Sequence, residues 1–550
     1  MSEMRKEFPA ACISHKHDFY VIIRRSDRTF TGTLSGGNIT ILRGNTITMK
    51  NILRICLVLM IIPTLIQCSH LGGRQPSDAA VPPVERSIIR VHITRQGYFH
   101  HRPWQLHRPS NRSAIGVVLS AEHILVTALP LANHRYIELE KIDSREKSRA
   151  EVMVIDYEAN LALLKPETEG FLSDRVPMAL TNDTREGDSL ELWQIKRSGE
   201  VLPIKGTVAS IELSAYPLDH SFLAYKLNTR MQGGFIYATL PVVKKNKLAG
   251  MLQRYDSQSQ TIDIIPEPVI SHFLADAADG HYSGFPIAGF GFSALNDPQL
   301  RRYEAIPDNI GGIYVQSIIK GGPADGAGLS EGDIVTRIGG VDLSNYGRYD
   351  HPFYGRISIQ HLIRCGYQVG DTLDFTVFRN GEQKNLSMVL DHRGPQEYLV
   401  PPYIIDTPPR YYISGGLVLQ ELSTTFLREY GSDWSAKAPI NLVFFNQNQD
   451  YLDPSVREKI VFLSSVIPTS YTIGFEDLTN LVVTGINNRK IRRLEDVPEA
   501  FRHPVDGFHK VEFDQHPRVV YLDPDQLPDI HRQITQRYGI DGNFVSPTGK

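Results

Sequence analysis

At 550 residues the chain exceeds the roughly 250–300 residues at which a single hydrophobic core stops growing, which excludes one compact domain and favours two to four. Apolar residues make up 41% and charged residues 22%, a globular balance that excludes wholesale disorder, and 34 prolines with 43 glycines imply many turns and short strands. A formal charge of −3 leaves no broad basic field, so no nucleic-acid partner is expected.

Residues 1–48 are polar and mixed in composition. From Met49 the chain carries Lys50 and Arg54, an apolar run over 55–62, Pro63, and then Leu65-Ile66-Gln67-Cys68. This is the order of a signal peptide: charged start, short apolar stretch, cleavage zone. The run is shorter than the ~20 apolar residues that cross a bilayer as a helix. Leu-Ile-Gln-Cys resembles the lipobox of bacterial lipoproteins, in which the cysteine is acylated; Gln67 departs from the small residue usual there. The resemblance implies a lipid on Cys68 and an exported, membrane-anchored chain facing the periplasm or cell surface. Simple secretion and an uncleaved signal anchor are the alternatives. A signal peptide behind 1–48 fits initiation at Met49 better than at Met1, making 1–48 an upstream extension; a cytosolic extension is the other reading. Of Cys12, Cys56, Cys68 and Cys365, maturation would leave only Cys365 as a free thiol, so no disulfide framework is expected.

Residues 69–86, with Gly72-Gly73, Pro76 and Pro82-Pro83, have no apolar period and read as a tether. Over 87–277 the pattern is one of short alternating strands: Ile89, Val91 and Ile93, then 114–119, 124–126, 150–155, 161–164, 206–213 and 262–265. That spacing predicts a sandwich or barrel, closed by a helix over 268–275. A second unit, 283–395, combines strands such as 313–319 and 373–378 with helices predicted near 323–329 and 357–365. A third, 402–550, sets strands at 417–419, 460–466, 482–486 and 519–522 among helices near 497–501 and 527–537.

In the second unit, Gly321-Gly322-Pro323-Ala324-Asp325-Gly326-Ala327-Gly328-Leu329 is followed by Glu331-Gly332-Asp333 and Gly339-Gly340-Val341-Asp342. This series resembles the PDZ domains of the HtrA/Deg (protease Do-like) family. Tyr411-Tyr412-Ile413-Ser414-Gly415-Gly416 and the Tyr538-Gly539-Ile540 ending are similar to the branch with a long second PDZ-like domain. The resemblance implies a mainly β fold with α+β modules, in which a trypsin-like double β-barrel precedes two PDZ-like domains. It also implies peptides or unfolded proteins as partners, and assembly as trimers or multiples of trimers.

The family's catalytic segments have degenerate counterparts. The histidine position falls on Pro130, the aspartate position on Asn160 and the nucleophile position on Gln232, with Arg230 where a glycine shapes the oxyanion turn. Proline accepts no proton, asparagine carries no charge and glutamine is a very poor nucleophile, so no triad chemistry is expected. His123, His134 and His220 lie near these segments and fit structural or solvent-facing roles better than catalytic ones. No metal motif or phosphate-binding glycine loop occurs, and neither metal nor other cofactor is expected.

A PDZ domain adds a peptide as a strand to a sheet edge, with backbone amides of a loop receiving the carboxylate. The candidate loop here is Ala288-Gly289-Phe290-Gly291-Phe292, in which either glycine fits the family's loop glycine. The facing wall would come from Ile359, Leu362 and Ile363, which are equally suited to a core. Three functions therefore stand open: a peptide-binding envelope pseudoprotease acting as scaffold, adaptor or chaperone; an active serine endopeptidase in protein quality control; and a structural envelope lipoprotein.

Overall fold

The computed structural model describes residues 84–196, 200–218, 220–231, 239–453 and 455–540, and the backbone of strands between 13 and 48 and at 544–545. The signal segment with Cys68, most of the tether, and Gln232 lie outside the described residues. The chain divides into a unit of residues 1–80 and a unit of residues 81–550. The first contains an antiparallel meander of five strands, from Ile13–His15 to Asn45–Thr48.

The second unit begins with a closed barrel. Its strands follow the order Lys147–Asp156, Leu161–Pro166, Ile124–Val126, Ser110–Val118, Ile88–Arg95 and His134–Lys141. Side chains alternate across a strand, and the two faces serve different cores. Ile89, Val91 and Ile93 fill the barrel, while Ile88 joins the cluster that continues into the next barrel. Ala114 and Val118 divide from Ile115 and Val117 in the same way. Each fully buried Ile or Val contributes about 1.5–3 kcal/mol. Val84, the first described residue of this unit, is 1% exposed.

A second closed barrel runs Ser189–Ile195, Val201–Ala215, Ser221–Asn228, Thr261–Pro266, Lys247–Asp256 and Pro241–Lys244. Gly250 sits where a Cβ would meet the Ile265 carbonyl oxygen at 2.4 Å, so only glycine lets these strands approach. Helix α1, Glu267–Asp276, follows the second barrel; Pro268 opens its first turn, and Val269, Ile270 and Phe273 are buried. From α1, His272 meets the Tyr367 carbonyl of the next module through Nε2 at 2.8 Å.

That module has the sheet order Phe290–Ala294, Ile313–Ile318, Ile334–Ile338, Thr372–Arg379, Glu382–Val389, so Phe290–Ala294 is an edge strand. The turn before Ile334 is held by Asp333, 1% exposed, which pairs with Arg379 at 2.5 Å and accepts the Ser330 N–H at 2.9 Å. Helix α2 spans Ile359–Gly366 and is capped by the Ser358 hydroxyl, 3.4 Å from the Gln360 N–H. Ile357 belongs instead to the hairpin Arg348–His351/Gly355–Ser358. The core of this module is continuous with that of the second barrel.

The last module is an eight-stranded sheet built on the order Val519–Leu522, His509–Phe513, Leu481–Ile486, Val461–Val466, Leu417–Glu421, Tyr411–Ser414, Phe544–Val545. Short helices Thr424–Arg428, Trp434–Lys437 and Ile440–Asn448 cover one side. Helix α3, Leu527–Tyr538, ends on Gly539 at φ +65°, whose N–H reaches the Thr535 carbonyl at 2.9 Å; a left-handed glycine ends a helix without steric strain.

Candidate functional site

The first barrel brings Pro130 and Asn160 together. Pro130 is buried in the turn Leu129–Leu131, where its ring fits the first helical positions and offers neither N–H nor titratable group. Asn160 is 3% exposed and left-handed at φ +56°. Its Oδ1 accepts the Leu129 N–H at 2.9 Å and its carbonyl accepts the Ala128 N–H at 3.2 Å. The side chain at the expected aspartate position thus secures the turn at the expected histidine position. Arg230 is exposed.

The loop leading to Asn160 is shaped by Asp156, whose Oδ1 accepts the N–H groups of Glu158 at 2.7 Å and Ala159 at 2.8 Å. Its Oδ2 accepts the Tyr282 hydroxyl at 2.5 Å, tying the loop to the segment entering the first α+β module. Glu158 is 5% exposed. Burial, reinforced by the Asp156 charge, pushes its carboxyl up to about 8.

The connection between the two α+β modules crosses the first barrel as a strap. Tyr403 and Ile405 pack against that barrel's core. Asp406 and Asn133 bond reciprocally: the Asn133 N–H donates to Asp406 Oδ1 at 2.6 Å, and the Asp406 N–H to Asn133 Oδ1 at 3.0 Å. The Tyr157 hydroxyl donates to Asp406 Oδ2. The last module docks on the same barrel through the His100 N–H, 2.8 Å from Glu429 Oε1, and through His101, whose ring lies 4.6 Å from that of Phe426. Trp104 packs beside Tyr411.

A separate cavity of about 210 Å³ opens between the edge strand Phe290–Ala294 and helix α2. Ala288, Gly289, Phe290 and Phe292 line one side, and Ile359 and Ile363 the other. Gly289 has φ +75°, and a Cβ there would meet Pro323 Cδ at 3.1 Å; its carbonyl accepts the Ile319 N–H at 2.9 Å. Gly289 lies in the loop before the edge strand, whereas Gly291 lies within the strand, where a Cβ would meet Ser317 Oγ at 2.5 Å. Gly291 and Leu362 do not line the cavity; Leu362 turns toward Gly339 and Gly366.

Gln360, Arg364 and Tyr398, which no motif in the sequence marks, line this cavity, as does His220, expected to be structural or solvent-facing. Gln360 and Arg364 stand four residues apart beside Ile359 and Ile363, a helical spacing visible in the sequence once α2 is placed. The contribution of His220, from another domain, has no local signal. Among the described residues, no group of three or more His, Cys, Asp or Glu side chains is placed to hold a metal ion.

Comparison with known proteins accounts for both α+β modules: PDZ domain models match residues 286–390 and residues 400–546. Protease Do-like 2, chloroplastic, of Arabidopsis thaliana is 26% identical over 459 residues, covering 82% of this chain and 74% of that protein. Protease Do-like 4, mitochondrial, of the same plant is 25% identical over 423 residues, covering 75% and 76%. The chain belongs to the HtrA/Deg, or protease Do-like, family. Its two barrels are the trypsin-like part of an HtrA/Deg protein, and its α+β modules are the PDZ domains PDZ1 and PDZ2. Among solved structures, the HtrA-type protease AlgW with decapeptide has a TM-score of 0.43 and 17% identity, covering 57% of this chain and all of that one.

Proposed function

We propose that this HtrA/Deg chain is a pseudoprotease that holds peptides or unfolded chain ends in PDZ1. The observation that carries the reading is the bond from the Leu129 N–H to Asn160 beside Pro130: two of the three triad positions have become structural. A serine protease needs a hydroxyl, an imidazole to take its proton and a carboxylate to orient that imidazole. Neither Pro130 nor Asn160 supplies its part. Loss of such a set lowers turnover by on the order of 10⁶.

The PDZ1 groove offers an edge strand, a glycine loop and an apolar helix wall, the elements of strand-addition binding. Micromolar affinity for hydrophobic C-terminal peptides, on the order of −8 kcal/mol, is expected from calorimetry on the full chain, and Gly289→Asp weakens it. No binding from a broad library, with the fold intact, refutes the peptide-binding reading. Lipidation of Cys68, export to the periplasmic or outer surface and assembly into trimers complete the proposal. Cys68→Ala is expected to release the protein from membranes; unchanged fractionation refutes the anchor. A second reading, an active endopeptidase, is favoured by the relatives' being named proteases; a turnover assay decides between the two.

A further inference from the structure

We propose that a basic arm at the Arg95 end of the first barrel is a docking surface for an anionic phospholipid bilayer. This goes beyond the peptide-binding reading and needs neither it nor an acyl chain on Cys68. Residues 86–121 contain Arg86, Arg90, Arg95, Arg102, Arg108 and Arg112 and no aspartate or glutamate, in a chain whose formal charge is −3. Arg86 is engaged by the Asp174 carbonyl and Arg90 by Glu140. The other four, joined by Arg135, form no ion pair among the described residues.

Strands Ile88–Arg95 and Ser110–Val118 run on past the barrel as a hairpin arm. The arm is closed by the Tyr98–Leu106 bridge, by the Phe99 N–H on the Gln105 carbonyl at 3.0 Å and by the His107 N–H on the Gly97 carbonyl at 2.9 Å. His100, His101 and Trp104 pack it on PDZ2, while Arg102, Leu106 and Arg108 are exposed. At its root Arg95 stands between Ser110 and His134 in the ladder, and burial together with the Arg112 charge lowers its pKa. Arg135 donates through Nη2 to the Tyr98 hydroxyl at 3.1 Å. The carboxylates beside this surface are committed. Glu138, which shares a shallow cavity of about 180 Å³ with Arg112 and Tyr136, pairs with Lys147 Nζ at 2.6 Å. Asp406 accepts the Asn133 N–H and the Tyr157 hydroxyl.

Neighbouring cations without an anion between them favour an anionic partner, and guanidinium forks match phosphate oxygens. Leu106, 45% exposed, and Tyr136, 37% exposed, stand among the arginines. An apolar side chain and a tyrosine both gain at a lipid interface and gain nothing from a soluble polyanion, which decides for a bilayer. The chain from Cys68 to Val84 spans at most on the order of 55 Å, so an anchor on Cys68 would keep the arm near such a surface.

Vesicle flotation tests this on the full chain carrying Cys68→Ala, so that no acyl chain contributes. Vesicles of equal parts phosphatidylglycerol and phosphatidylcholine are expected to bind it at least about tenfold more tightly than phosphatidylcholine alone. Salt at about 1 M, where charges are screened beyond ~3 Å, is expected to abolish the difference. Replacing the exposed Arg102, Arg108 and Arg112 by Gln is expected to weaken binding to the anionic vesicles on the order of a hundredfold, about fivefold per arginine, with the melting temperature unchanged. Removing the same charge elsewhere, through Lys245→Gln, Lys247→Gln and Lys384→Gln, is expected to change binding by no more than about threefold, and Leu106→Ser to weaken it. The proposal is overturned if the two kinds of vesicle bind alike, or if the arginine and lysine variants behave alike. It is also overturned if polyglutamate or a single-stranded oligonucleotide displaces the vesicles while Leu106→Ser binds as wild type does, which would make the partner a soluble polyanion.

Discussion

Replacing Asn160 tests whether the residue at the expected aspartate position serves the structure of the first barrel. Asn160→Ala removes the acceptor of the Leu129 N–H, a loss of about 1–2 kcal/mol for a part-buried donor left without its partner. It also places alanine at φ +56°, which adds about 1 kcal/mol. The sum, about 2–3 kcal/mol, corresponds to about a 30- to 150-fold faster opening of the 128–131 turn. Hydrogen exchange followed by mass spectrometry at the Ala128 and Leu129 amides reads this directly. Asn160→Gly loses the bond but tolerates the left-handed backbone, so its exchange is expected to fall between wild type and the alanine variant. Exchange in the alanine variant within twofold of wild type, or a glycine variant worse than alanine, refutes the reasoning.

Asp406→Ala frees the Asn133 N–H and the Tyr157 hydroxyl from a charged acceptor; loss of about 1.5–3 kcal/mol is expected to speed tryptic cleavage after Arg410 at least tenfold, and an unchanged rate contradicts the strap. Glu158, raised to about 8 when folded, keeps its proton where the unfolded chain has lost it, so stability falls as pH rises from about 4.5 through 8. Glu158→Gln is expected to flatten melting temperature against pH between 6 and 9; an unchanged slope contradicts that assignment. Burial lowers His100 to about 4, so below about 6.5 the unfolded chain binds the proton first and stability falls toward pH 4, by up to about 3 kcal/mol. His100→Gln is expected to lessen that loss in acid melts, and identical melts for variant and wild type refute it.

The barrels and the first PDZ module were legible because their signals are local. Ile89, Val91 and Ile93 alternate as a barrel strand must, and Glu331-Gly332-Asp333 marks a turn that Asp333 and Arg379 hold in place. Helix α2 was legible to within a turn; the Ser358 cap and the hairpin before it set its start. Helix Ile440–Asn448 escaped because it has no single apolar face: Leu442 and Val443 are buried while Ile440 is 79% exposed. The strap and the mixed lining of the PDZ1 cavity were illegible for another reason. Asn133 and Asp406 meet across 273 residues, and His220 reaches the cavity from a different domain. No window of sequence holds both partners, and nothing in the residues around His220 marks it as facing the PDZ1 cavity.

The most direct test of the central claim is turnover of unfolded casein by the purified wild-type chain, run beside labelling with a serine-directed fluorophosphonate. With Pro130 and Asn160 committed to the first barrel's structure, the account predicts neither turnover nor labelling, and Gln232→Ser alone restores neither. Casein cleavage that the fluorophosphonate inhibits, and that disappears when one labelled serine is replaced, would contradict it.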